Sequence, residues 1–91
     1  MKLNEISDQL SPYVVYVVGV SSDHYEKYVL NAADEANATR RIESYIVGRH
    51  DNEREVADVM SLDEFLEDNP GERKNINTPH GDEIICFDYG T

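Results

Sequence analysis

The side chains with the most evident chemistry are three histidines, one cysteine and a large excess of carboxylates. His24, His50, His80 and Cys86 are the soft-metal ligand types of the chain. They are scattered, without the C-x-x-C or H-x-x-x-H spacing that brings ligands to one ion. The run Asp51-Asn52-Glu53-Arg54-Glu55 opens as a calcium loop does, yet the sixth position is Val56 instead of glycine and the twelfth is Leu62 instead of glutamate. Neither a metal nor a cofactor is expected. Cys86 and His80 can be drawn as a nucleophile and its base, but Cys86 sits in an apolar run, where a cysteine behaves as a small inert hydrophobe. With no G-x-S-x-G, phosphate loop or G-x-G-x-x-G, the chain reads as a non-enzyme.

The carboxylates are a stronger signal. The 91 residues carry a net charge of −11. The first fifty residues hold seven acidic and five basic side chains, whereas residues 51–91 hold twelve acidic and three basic. Asp51, Glu53, Glu55, Asp58, Asp63, Glu64, Glu67 and Asp68 fall in one segment with only Arg54 to offset them. Such a field repels DNA, RNA and anionic membranes and attracts basic patches on other proteins. A charge-rich surface often does no more than keep a protein soluble. Here the carboxylates fall on a predicted loop, strand and capped helix, and the ordered elements hold them at fixed spacing as a duplex holds its phosphates, one charge per ~1.7 Å of axis.

Six tyrosines against two phenylalanines and no tryptophan add a second feature. Tyrosine buries a ring while keeping a polar tip, which suits sheet margins and interfaces alike. Tyr16 and Tyr45 fit the core edge, while Tyr25, Tyr28 and Tyr89 fit an exposed contact face. Tyr25 and Tyr28 are the candidate anchors beside the acidic residues.

These groups must be positioned by regular elements, and the spacing of apolar residues locates them. Leu3, Ile6 and Leu10 predict a short N-terminal helix ended by Ser11-Pro12. Residues 13–20 are β-branched and aromatic on both parities, the pattern of a strand covered on both faces. Ser21-Ser22-Asp23 is a hairpin-length turn into a second strand over 24–30, with Tyr25, Lys27 and Val29 on one face and a wetter face opposite. Asn31 or Asp34 caps a helix over 34–47, in which Ala38, Ile42, Tyr45 and Ile46 form the buried stripe and Gly48 the stop.

Residues 55–60 alternate as a third strand; Val56, Val59 and Met60 also fit a helix, but the capping box that follows favours the strand. Ser61-Leu62-Asp63-Glu64 is a capping box for a short helix to about Asp68, with Leu62, Phe65 and Leu66 as its buried face. Asn69-Pro70-Gly71 ends it, residues 72–82 form a long loop, and residues 83–89 close the chain as a strand with Ile85 and Phe87 inward and Cys86 half-buried.

The expected fold is therefore α+β: a small single-domain sandwich in the order α-β-β-α-β-α-β, with helices packed on an antiparallel or mixed four-stranded sheet. Residues 1–12 form its helix and turn, 13–48 a ββα core, and 49–91 an acidic β-α-loop-β half. The passage Tyr28-Val29-Leu30-Asn31-Ala32-Ala33-Asp34-Glu35-Ala36, and Val59-Met60 before Ser61-Leu62-Asp63-Glu64-Phe65-Leu66, resemble short stretches common in small phage and mobile-element domains. That resemblance implies a small viral or mobile-element protein.

The functional expectation is a non-catalytic acidic interaction module, an inhibitor or DNA mimic that occupies a basic nucleic-acid-binding surface of a host protein. The alternative is a small accessory subunit or a homodimer built by sheet-edge pairing. The lone cysteine fits a reducing cytoplasm, the host's if the protein is viral, and no apolar run is long enough to cross a membrane.

Overall fold

The run of β-branched and aromatic residues at 13–18 leaves no charged face to turn toward water, so a strand it forms is best covered on both sides. The computed structural model, which describes residues 10–20, 23–48 and 54–90, satisfies that demand. Strand β1 (Ser11–Gly19) pairs with β2 (Tyr25–Ala32) through a tight hairpin closed by the Gly19 N–H on the His24 carbonyl at 2.8 Å. Its other neighbour is β3 (Arg54–Ser61), and β4 (Ile84–Gly90) lies outside β2. The order is β3-β1-β2-β4 and every pairing is antiparallel.

A helix covers each face of this sheet. Val15, Val17, Tyr28, Leu30 and Ala32 meet Ala38, Ile42 and Ile46 of α1 (Glu35–Gly48) on one side. Val14 and Val29 meet Leu62, Phe65 and Leu66 of α2 (Leu62–Asp68) on the other, with Tyr16, Met60, Ile76, Ile85 and Phe87 around them. The second strand is thus not wet on one face as its imperfect alternation predicts; both of its faces are covered. Two register shifts let the strands keep this segregation. Ala57 is the extra residue of β3 between the Tyr16–Asp58 and Val17–Val56 pairs, and Phe87 is that of β4.

The helix ends follow from local chemistry. Asp34 caps α1, its Oδ1 accepting from the Asn37 N–H at 2.8 Å, while Asn37 Oδ1 accepts in return from the Ala33 N–H. Asn31, the other candidate cap, instead donates to the carbonyls of Pro79 and Gly81 and so ties the segment before β4 to the sheet. Ser61 caps α2 through Oγ on the Glu64 N–H at 3.1 Å, as its sequence predicts.

The segment after α2 departs from the expected loop. Residues Pro70–Lys74 form a 3-10 turn, and residues 80–83 form another turn in which the His80 N–H donates to Glu83 Oε1 and Gly81 takes a φ of 56°. Cys86, expected half-buried, is exposed, because β4 is an edge strand and neither helix extends substantially over it. The expected N-terminal helix lies outside the described residues apart from Leu10, as do Arg49 and His50 after α1.

Phe65 is the centre of the α2-side core: 1% exposed and in edge-on contact with Tyr16 at 6.2 Å and Phe87 at 5.6 Å. Truncating it leaves a cavity that a seven-residue helix cannot collapse to fill. Phe65→Ala is expected to cost about 3–5 kcal/mol and Ser61→Ala about 1 kcal/mol, both read as shifts of the urea midpoint at constant slope.

Candidate functional site

Of the eight carboxylates singled out by the sequence, Asp51 and Glu53 lie outside the described residues. The other six are all exposed: Glu55 and Asp58 on β3, and Asp63, Glu64, Glu67 and Asp68 on α2. Pairing fixes their side of the sheet. Asp58 lies opposite Tyr16 and Glu55 opposite Val18, and directly opposed residues of an antiparallel pair point to the same face. Tyr16 touches Phe65 of α2, so β3 and α2 present their carboxylates on one side of the molecule. Among the described residues, none of the six has an ion-pair partner.

Three cations among the described residues are engaged by other groups. Arg54 reaches from β3 to Glu26 of β2, Nη1 to Oε2 at 3.0 Å. Lys27 bridges Asp88 at 3.2 Å, with its ammonium 5.2 Å from the Tyr16 ring centre, 5.8 Å from Tyr25 and 6.0 Å from Phe65. Arg41 donates to the Asn31 and Asp82 carbonyls.

The tyrosines need correction. Tyr28 is 3% exposed and sits in the α1-side core, edge-on to Tyr45 at 5.6 Å, so it has no surface to offer a partner. Period-two alternation places it on a face but cannot say that a helix will cover that face. Tyr25 is half-buried beside Lys27, its ring over Gly90, where an added Cβ would lie 3.0 Å from it. Only Tyr89, 72% exposed, is an open aromatic of the kind expected.

A polar cluster that sequence reading missed lies on the α1 side of the sheet. The Glu26 carboxylate accepts from Tyr28 Oη at 2.6 Å and from His24 Nε2 at 3.1 Å, and pairs with Arg54. Burial alone would push this carboxyl up. The Tyr28 and His24 hydrogen bonds and the Arg54 charge together outweigh it and hold it below its ordinary value. Burial, and then the bond to Glu26, push the Tyr28 phenol strongly up. The only sequence signal was the alternation that puts His24, Glu26 and Tyr28 on one face; Arg54 joins them only through the sheet order.

Metal and nucleophile chemistry find little geometry. Among the described residues no three His, Cys, Asp or Glu side chains converge as metal ligands. His80 lies beside Glu83, Nδ1 to Oε1 at 3.7 Å, and the two line an open cleft of about 470 Å³ with Asn77, Thr78 and Ile85. Cys86 is on the opposite side of the sheet, opposite Tyr28, where burial is the main influence raising its thiol. His80 and Cys86 therefore do not form a dyad. Among the described residues, no helix is long and apolar enough to cross a membrane.

The Glu26 cluster makes stability depend on pH. Its folded carboxyl titrates below the ordinary 4.5, so its contribution is complete above that pH and is lost as pH falls through the lower folded value. Glu26→Gln is expected to cost about 1–3 kcal/mol at neutral pH. Urea midpoints of parent and variant should converge as pH is lowered below about 4.5, and a difference that stays constant would refute the assignment. No protein-family model matches the chain, and neither a curated protein nor a solved structure is significantly similar to it.

Proposed function

We propose that the protein is a non-catalytic interaction module that occupies a basic, nucleic-acid-binding surface of a partner protein, as an inhibitor or DNA mimic. One observation carries this reading: six exposed carboxylates, held by a strand and a helix on one side of the molecule and unpaired among the described residues.

The arrangement on α2 speaks against a surface built only for stability. Asp63 with Glu67, and Glu64 with Asp68, are like charges four residues apart, each pair costing a helix about 0.2–0.5 kcal/mol. Glu67 and Asp68 also sit at the negative end of the helix dipole, with no basic residue in that last turn to offset them. The helix survives because Leu62, Phe65 and Leu66 anchor it in the core. Core packing thus holds the carboxylates close together against their own repulsion, and a basic channel would relieve that repulsion on binding. Association of this kind is fast and weakens with salt.

The partner is best captured from nuclease-treated host lysate on tagged protein, with parallel washes at low and high salt. A nucleic-acid-binding protein released by salt is the expected recovery. The combined variant Glu55→Lys, Asp58→Lys, Glu64→Lys and Glu67→Lys should keep its circular dichroism spectrum and lose that protein. Equal recovery by parent and variant would sink the reading. The repulsion itself gives a second readout: the urea midpoint of the parent should rise with added salt, and more than that of the variant.

A further inference from the structure

We propose that two copies of this chain pair antiparallel through the outer edge of β4, forming one continuous eight-stranded sheet. This goes beyond the acidic-surface reading and does not depend on it.

The two edges of the sheet are built differently. β3 carries Arg54, Glu55 and Asp58 within eight residues, the kind of charged edge that turns an incoming strand away. β4 carries one charge in seven residues, and that carboxylate, Asp88, is already bridged to Lys27. The helix layers also stop short of β4. α1 packs on β1, β2 and β3 and α2 on β1 and β3, and α2 meets the near side of β4 through the Phe65–Phe87 ring contact. Ile84, Ile85 and Phe87 are consequently only half-covered, Cys86 is exposed, and Tyr89 is 72% exposed. A seven-residue strand whose outer backbone edge is open among the described residues, with half-covered apolar side chains on both faces, is a template for another strand.

The bulge in β4 selects the register. Cys86 lies opposite Tyr28 and Tyr89 opposite Glu26, which puts both on the α1 side. Phe87 packs in the α2-side core and Asp88 lies opposite Lys27, which puts both on the α2 side. A two-fold axis between Phe87 and Asp88 sets Cys86 opposite Tyr89 of the second copy and Phe87 opposite its Asp88. Each opposed pair then shares a face. A slip of one residue in either direction sets side chains from opposite faces against each other across the centre of the seam.

Charge favours this edge over any other. A net charge of −11 opposes self-association in general. In the order β3-β1-β2-β4-β4-β2-β1-β3 the two β3 strands lie at the outer rims, about 34 Å apart at ~4.8 Å per strand. That is several Debye lengths at physiological salt, about 8 Å each, so the β3 carboxylates of the two copies barely feel one another.

Sedimentation equilibrium over a concentration series tests the seam. The full chain is expected at twice its monomer mass, and the double variant Cys86→Lys, Tyr89→Lys should raise the dissociation constant at least about tenfold by opposing like charges across the seam. Both side chains are exposed, so the urea midpoint of the monomeric variant should reveal no loss of folding. A chain that stays monomeric throughout, or a dimer indifferent to the lysines, overturns the proposal. The register has its own readout. Mild oxidation of Tyr89→Cys should cross-link the introduced thiol to Cys86 of the other copy, since directly opposed residues lie within disulfide reach. Three residues along one strand, about 10 Å, is too far for a bond within a chain. A lysine-sensitive dimer that fails to cross-link overturns the register. The lysine variant on β3 and α2 should dimerise normally, which separates failure here from failure of the acidic-surface reading.

Discussion

Burial of β1 on both faces is the constraint on which the rest of the molecule depends. Val14 on one side and Val15 and Val17 on the other are fully buried, and no arrangement with a single helix layer can cover both. The chain meets the demand by sending α1 across one face and the short α2 across the other. Because α2 has only seven residues, its hold on the sheet rests on Leu62, Phe65 and Leu66, and on the Ser61 cap that starts it in the right place. The price is at the margin: among the described residues β4 is covered only in part, Phe87 meeting Phe65 of α2 while Cys86 and Tyr89 stay exposed.

Charge is distributed by the same architecture. Cations on the strands point into partly buried sites, Arg54 to Glu26 across β1 and Lys27 to Asp88 among three aromatic rings. Carboxylates on β3 and α2 are left facing solvent without partners among the described residues. Pairing with Arg54 satisfies Glu26, whose burial would otherwise be costly, and Lys27 balances the partly exposed Asp88 on the α2 side.

Tyr28 shows why the candidate site was only partly legible. From sequence it is a tyrosine on an alternating strand between a lysine and a valine, which fits an exposed anchor. In the fold its ring fills the α1-side core while its hydroxyl donates to Glu26, so it joins packing to the polar cluster. The carboxylates were easier, since charged side chains without buried partners stay at the surface whatever the topology. Their gathering on one side was not readable, because it requires knowing that α2 lies over the face to which Glu55 and Asp58 point.

By itself the sequence determined what depends on near neighbours. Both-parity β-branching marked β1 as a covered strand, a 3.6-residue stripe marked α1, and Ser61 with Glu64 marked the start of α2, because strand pleat, helix period and cap geometry act over a few residues. Tertiary structure alone decided the order β3-β1-β2-β4, the face each helix takes, the reach of Arg54 to a glutamate 28 positions earlier, and the role of Asn31 as a tether to Pro79 instead of a helix cap. These depend on contacts between residues distant along the chain. Alternation tells that a strand has two faces, but only the packed whole settles what each face meets.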